Sequence, residues 1–571
     1  MRELGVSSEV FPSESPIDVL RHARGVIISG GPSSVYDTSS PTMDPAVLAA
    51  GIPTLGICYG QQLISHLLGG EVRKGTKGEF GLAFLDLLTA DSRLLEGLTD
   101  HQKVWMSHRD LVAVPPAGFR VLASTTTCST AAIEDVTRGI YAVQFHPEVV
   151  HTTEGVRILR NFLFGICGCS KDWNPADRVE LVKEQIRERA GTRNVFFFVS
   201  GGVDSTVAFT LCLEALGSER VCGVYVDTGL MREGETDFVE QTFAALGHGV
   251  VRIEHAEEEF LGPLEGVHEP EMKRHIIGEQ FVKVQERIME ARGVADGSWI
   301  LGQGTIYPDT IESGGASQGQ SKTATIKTHH NRVPGIQKLM EQGLIVEPLA
   351  DFYKDEVREI GHQLGLSHAL LDRHPFPGPG LAIRCLCSER DYAVTRVPEG
   401  WLVPVHSVGV QGDSRSYAPV LAIEAFPSHA AHLQNEATEL VNRTAGVNRV
   451  MARVAAREEL GAQRVFASSI THARLALLRR ADGIVRQMSH DSGFDRMVWQ
   501  FPVILIPLGS GEARDSVVLR PIFSVDGMTA DSVAMPDDLL RAMSAKLLEI
   551  PDIAGVYYDL THKPPGTIEW E

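Results

Sequence analysis

A single thiol stands between two glycines in the stretch GICYGQQ, Gly56 to Gln62. The apolar run IPTLGI before it reads as a short strand, and QQLISHLLGG after it has helical spacing ending in glycines. Cys58 therefore falls on a sharp strand-to-helix turn, the layout of a nucleophile elbow with cysteine in the serine position. A cysteine becomes a strong nucleophile when a neighbouring base takes its proton. YAVQFHPE offers such a base far along the chain: His146, with Glu148 two residues on. His146 can accept the thiol proton, and Glu148 can orient the imidazole and stabilise its charged form. The amides of Gly31, in SGGP, and of Tyr59, directly after the thiol, are the candidate oxyanion donors. Cys58 taken alone reads as a small buried hydrophobe. The elbow, HPE and SGGP together reverse that weighting.

A second constellation lies in FFFVSGGVDSTVAFTLCLEAL, which reads as strand, glycine-rich turn and helix. The amides of Ser200, Gly201, Gly202, Val203 and Asp204, with the hydroxyls of Ser200 and Ser205, would face an anion at a helix N-terminus. The usual nucleotide triphosphatase loop carries a lysine for the terminal phosphates. Asp204 stands here instead and suits Mg²⁺ held against them. A magnesium-bound pyrophosphate leaving group implies cleavage of ATP between its α and β phosphates, hence adenylation of an acceptor. Further on, YPDTIESGGASQGQSKTATIKTHHN gathers Lys322 and Lys327, with Arg332 just beyond, in an otherwise acidic chain. After such a loop, this segment reads as a lid that closes on phosphates. The adjacent histidines of HHN are not read as a metal site.

The elements that must position these groups follow from the rest of the chain. Its 571 residues exceed what one core usually serves, so several domains are expected. The formal net charge of −20 argues against nucleic acid as a main partner, since that affinity draws on lysine and arginine contacts to phosphates. No apolar run is long enough to span a bilayer, and no signal-peptide order opens the chain. Eight cysteines are too sparse for a disulfide scaffold, and Cys167/Cys169 and Cys385/Cys387 lack a matching second cluster for zinc. A reducing, cytoplasmic setting fits best. Strand-like runs alternate with helical stretches through the first two-thirds, which predicts α/β domains with parallel sheets. A composition break at CGCSKDWNPADR, Cys167 to Arg178, reads as a linker. Beyond HPFPGPGLAIR the character turns α+β, with a degenerate internal repeat of a β-rich stretch, a helix and a final strand.

SGGP, GICYG and HPE resemble class I glutamine amidotransferase domains, which have a flavodoxin-like fold. That resemblance implies glutamine hydrolysis through a cysteinyl thioester at Cys58, His146 and Glu148. SGGVDS resembles the PP-loop of ATP pyrophosphatases, of the adenine nucleotide alpha hydrolase-like fold. DTGLMR, YPDTIESGGA, IKTHHN, HPFPGPGLA, VGVQGDSRSY and the ending YYDLTHKPPGTIEWE resemble GMP synthetases over essentially the whole chain. The resemblance implies an ATP- and Mg²⁺-dependent ligase that closes de novo GMP formation. XMP is adenylated at its O2, and ammonia from glutamine displaces AMP. It places the amidotransferase at 1–168, the ATP pyrophosphatase at 169–385 and a duplicated C-terminal domain at 386–571. It assigns Lys327 to the lid, Asp204 to the metal, and Arg232, Asp413, Gln500, Lys563 and Glu569 to XMP. The long C-terminal region resembles the larger family form, whose insertion implies an internal pseudo-dimer and a monomer in solution. Family domains open with a strand and a GSQY-like turn ahead of the helix matching MRELGV, which predicts a start upstream of Met1. The rivals are a PP-loop enzyme with another acceptor, such as tRNA, and a degenerate nucleotide-binding scaffold.

Overall fold

The short strands form where β-branched and aromatic residues are buried on both faces, as a parallel sheet between helices requires. The computed structural model describes the chain apart from residues 32, 39, 90, 150, 246–250, 294–296, 310–338, 340, 374–375, 412–413, 428–436, 438, 442, 445, 525–529 and 564. Lys327, the HHN triplet and Asp413 thus lie outside the described residues. Two compact units are present, Met1–Asn174 and Pro175–Glu571. The division falls inside the linker read from Cys167 to Arg178.

In the first unit a seven-stranded sheet contains β1 (Val26–Ile28), β2 (Thr54–Ile57), β3 (Glu71–Leu87), β4 (Gln102–Val114), β5 (Arg120–Ser124), β6 (Ala132–Asp135) and β7 (Ile140–Val143). Its order is β1-β2-β7-β6-β5-β3-β4. The expected parallel pairing holds for β1, β2 and β7. From β6 to β4 every step is antiparallel, unlike the expectation. The connection from β6 to β7 spans only 136–139 and ends at Gly139, φ 70°, short enough to force a hairpin. Among the described strands β1 pairs with β2 alone and forms the sheet edge. Val10 and Phe11 ahead of it are exposed.

The second unit begins with an all-parallel sheet of β8 (Asn194–Phe198), β9 (Val221–Asp227), β10 (Val251–His255), β11 (Trp299–Gly302) and β12 (Ile345–Val346), ordered β10-β9-β8-β11-β12. A further seven-stranded sheet contains β13 (Thr395–Val397), β14 (Gly400–Gln411), β15 (Ser414–Ile423), β16 (Arg449–Ala456), β17 (Val503–Ile506), β18 (Asp515–Leu519) and β19 (Ile553–Asp559). Its order is β13-β14-β15-β16-β19-β18-β17. From either end inward, an antiparallel pair (β14–β15, β17–β18) is followed by a parallel step (β15–β16, β18–β19). The two halves meet in the antiparallel pair β16–β19, with Met451 opposite Asp559. One apolar core runs from Phe196 and Leu301 of the first sheet to Leu421, Val450 and Leu505 of the second.

Candidate active sites

The turn after β2 explains why Cys58 needs a glycine on either side. Cys58 has φ 52° and ψ −106°, and it caps helix α1 (Tyr59–Leu67). Only His101 shares a positive φ among the described non-glycine residues. Such angles are strained for a side-chain residue and mark functional turns. A Cβ on Gly60 would lie 2.1 Å from the Ile28 carbonyl oxygen, and one on Gly56 would lie 2.8 Å from the Gly60 backbone. The glycines thus let α1 start hard against β1 and β2, which turns the thiol away from the strand.

His146 follows β7, the neighbour of β2, and reaches the same place. Its Nδ1 is 2.7 Å from Glu148 Oε1. Burial pulls the imidazole pKa down, but hydrogen bonds to Cys58 and Glu148 outweigh it and push it up to about 10. A Cβ on Gly30 would sit 3.1 Å from His146 Cε1 and 3.5 Å from Cys58 Cβ, so the backbone at Gly30 runs beside both. Gly31 in turn lies against the Tyr59 ring, 3.8 Å from its Cγ to an ideal Cβ. All five predicted residues of this site are therefore brought together. Sequence reasoning missed Gln144, whose Nε2 donates to Cys58 Sγ at 3.6 Å. Its place two residues before His146, on the same side of an extended chain, is the signal that could have found it.

The second site forms where β8 ends and α2 (Val203–Leu216) begins. Gly201 has φ 74°, and a Cβ there would press 2.6 Å from Val239 of helix α3 (Glu235–Ala245). Ser200 and Ser205 close the turn on itself, with their Oγ atoms 2.9 Å apart and Ser205 Oγ donating to the Gly202 carbonyl at 3.1 Å. A Cβ on Gly304, after β11, would lie 2.9 Å from the Ser205 backbone. Asp204 points its carboxylate at Lys354 Nζ, 2.6 and 2.5 Å from the two oxygens. Lys354 opens helix α4 (Lys354–Gln363) and is the second residue that sequence reasoning missed. Next to the loop, Asp227 ends β9 and joins Gly229, Arg232, Thr236, Glu257 and Arg479 in lining a cavity of about 290 Å³. It opens beyond the carboxyl ends of parallel strands, where sheets of this kind bind ligands.

The remaining predicted residues fall into two groups. Arg232 is buried over the Phe376 ring at 4.4 Å, and Arg384 approaches the same ring at 5.3 Å. Burial lowers the Arg232 pKa to about 10, partly offset by Asp482. Arg384 donates two bonds to Glu569, at 2.9 and 2.7 Å. Elsewhere, Gln500 pairs with Ile522, Ile522 with Ser532, and Ala530 with Lys563. Gln500 thus bridges to the two-stranded sheet of Ile522–Phe523 and Asp531–Ser532, and Lys563 bridges to Ala530 next to it.

Residues 1–166 match the class-I glutamine amidotransferase family, 175–254 the NAD synthase family and 487–570 the GMP synthase C-terminal domain family. A probable glutamine-hydrolysing GMP synthase of Leptospira interrogans is 41% identical over 591 residues, covering 100% of this chain and 96% of its own. Glutamine-hydrolysing GMP synthases of Geobacillus kaustophilus and Carboxydothermus hydrogenoformans are 38% and 39% identical, each covering 100% of this chain and 96% of theirs. The chain belongs to the glutamine-hydrolysing GMP synthases.

A GMP synthase needs both a nitrogen source and an ATP-cleaving site, and the matched families divide at the same linker as the two compact units. The segment matching the GMP synthase C-terminal domain carries Gln500, Lys563 and Glu569. Among the described residues, no helix is long and apolar enough to cross a membrane.

Proposed function

We propose that this GMP synthase aminates XMP through the two sites described, with Cys58 as the glutaminase nucleophile. The observation that carries the reading is the presence in one chain of a strained thiol turn served by His146 and a phosphate-cradling turn at Ser200–Ser205. Cys58 attacks the glutamine amide carbon, and Gly31 and Tyr59 amides receive the developing oxyanion. His146 takes the thiol proton and, held charged beside Glu148, delivers it to the leaving ammonia. Water then frees glutamate from the thioester.

At the second site the loop amides and the Ser200 and Ser205 hydroxyls hold the phosphates of ATP at the start of α2. The Asp204 carboxylate is the kind of oxygen ligand that Mg²⁺, a hard cation, takes, and both its oxygens hold the Lys354 ammonium in this structure. Mg²⁺, when bound, neutralises charge on the departing pyrophosphate. Arg232, Gln500, Lys563 and Glu569 are assigned to XMP, with Asp413 and the lid residue Lys327 resting on the family resemblance. Domain limits of 168 and 385, a cytoplasmic setting and a monomeric state belong to the same reading. The two-fold pattern of the β13–β19 sheet supports an internal pseudo-dimer.

The test is GMP formation with XMP, ATP and Mg²⁺, run in parallel with glutamine and with ammonia. AMP and GMP should appear in equal amounts. ATP consumption without AMP would overturn the proposal.

A further inference from the structure

Away from both sites, two histidines and an aspartate gather where α4 turns into α5 (His368–Leu371). His362 lies in the last turn of α4, His368 opens α5 and Asp372 caps it. One donor atom from each can be chosen so that all three lie within 4.8 Å of one another. The imidazole rings are 4.5 Å apart and tilted by 48°, and His368 Nδ1 is 3.3 Å from Asp372 Oδ2.

The backbone beneath this cluster is fixed by contacts that do not involve its three side chains. Gly365, φ 75°, ends α4, and the Leu366 amide bonds back to the Gly361 carbonyl at 3.0 Å. A Cβ on Gly361 would lie 2.4 Å from Leu371 Cδ2, so the missing side chain is what lets α5 fold back onto α4. Arg358 Nε donates to the Leu371 carbonyl at 3.2 Å and ties the two elements from the other side. Leu370 and Leu371 are buried, while His362, His368 and Asp372 are exposed and open to an entering ion.

We propose that His362, His368 and Asp372 form a binding site for a first-row divalent transition cation of the zinc or cobalt kind. Neutral imidazole suits these ions, and three protein ligands leave a position for water. Bonds of about 2.0–2.1 Å to zinc set neighbouring donors roughly 3.3 Å apart in a tetrahedron. The exposed side chains close the difference by rotating about bonds that nothing buried restrains. Mg²⁺ prefers an all-oxygen shell and is not the ion for this site, which separates it from Asp204. The site clasps the far end of the helix whose first residue, Lys354, holds Asp204.

Full-length protein without an added histidine tag is titrated with Co²⁺ in excess Mg²⁺, and visible absorption is followed. Binding of one Co²⁺ per chain in a nitrogen- and oxygen-ligated spectrum, displaced by Zn²⁺, is expected. The double variant His362→Gln, His368→Gln should weaken it by at least about tenfold, the scale on which even outer-shell changes act. Its circular dichroism and melting should match the parent without metal, because both side chains are exposed. Equal binding by parent and double variant, a sulfur-to-cobalt charge-transfer band in its place, or no binding would each overturn the proposal.

Discussion

Lys354 Nζ contacts both carboxylate oxygens of Asp204, a residue 150 positions earlier in the chain. The pair joins the first turn of α4 to the first turn of α2, so the loop proposed to hold phosphate carries its own cation. A phosphate chain entering the loop, as proposed, would meet an aspartate whose charge the lysine already offsets. Lys354→Met should therefore lower GMP formation from glutamine and from ammonia alike, by about 10²–10³-fold, as when one electrostatic partner of a transition state is lost. Pyrophosphate release is the readout. A wild-type rate in this variant would show that the contact is only structural.

Cys58→Ala removes the proposed nucleophile without filling space, because the side chain is buried and the new one is smaller. Glutamine-dependent synthesis should vanish, while synthesis from ammonia should stay close to wild type. The two rates measured on one preparation decide it. Loss of both would mean that the thiol also serves the second unit.

The thiol and phosphate turns were legible because each is local: glycines, the reactive residue and the flanking strand lie within a few positions. His146 and Glu148 could be read because HPE ends a strand. Lys354 and Arg384 could not, since each acts through a partner distant in sequence, Asp204 and Glu569. The same limit explains the first sheet. An apolar run of four residues reads as a buried strand, but its direction depends on the hairpin at Gly139. The paired halves of the β13–β19 sheet could be suspected from two similar stretches. That their final strands β16 and β19 lie side by side is a tertiary fact.

As the proposed acid–base partner of Cys58, His146 should set the alkaline limit of the glutaminase. Its pKa, raised to about 10 by Cys58 and Glu148 against the opposing effect of burial, lies above the ordinary value of 6.5. The imidazole therefore keeps its proton through neutral pH. Its contribution to stability is complete below about pH 6.5 and is lost as pH rises toward 10. Glutaminase kcat/KM should accordingly hold through pH 8 and fall near pH 10. The melting difference between wild type and His146→Gln should shrink over the same range. An alkaline limb near pH 6.5 would refute this account.

Gly60→Ala tests the geometry of the elbow rather than its chemistry. The new methyl would meet the Ile28 carbonyl at 2.1 Å, backbone that cannot give way as a flexible side chain would. The first unit should lose about 1–3 kcal/mol, the usual cost of overpacking. Ammonia-dependent synthesis should survive. Denaturant unfolding followed alongside glutaminase activity measures both, and an unchanged midpoint would show that β1 moves aside without cost.

Asp559 carries the tail that presents Glu569. Its Oδ2 takes Arg449 at 2.8 Å, Arg520 at 2.7 Å and the Trp570 indole at 2.8 Å, all fully buried. Burial and the neighbouring Arg520 pull the Arg449 pKa down to about 9, so two guanidiniums share one carboxylate under strain. Arg449 also donates to the Thr567 and Glu569 carbonyls, each at 2.8 Å. Removing the carboxylate leaves two buried cations together, whereas removing Arg449 leaves Asp559 still paired with Arg520. Asp559→Asn should therefore destabilise more than Arg449→Met, with the first near the roughly 3–5 kcal/mol of a broken buried pair and the second below it. Arg449→Met should instead raise KM for XMP more than it lowers kcat, because the tail holding Glu569 loosens while the phosphate loop is untouched. Equilibrium unfolding ranks the two variants, and steady-state kinetics separates KM from kcat. A reversed ranking would place the weight of this network on the arginines rather than on the carboxylate.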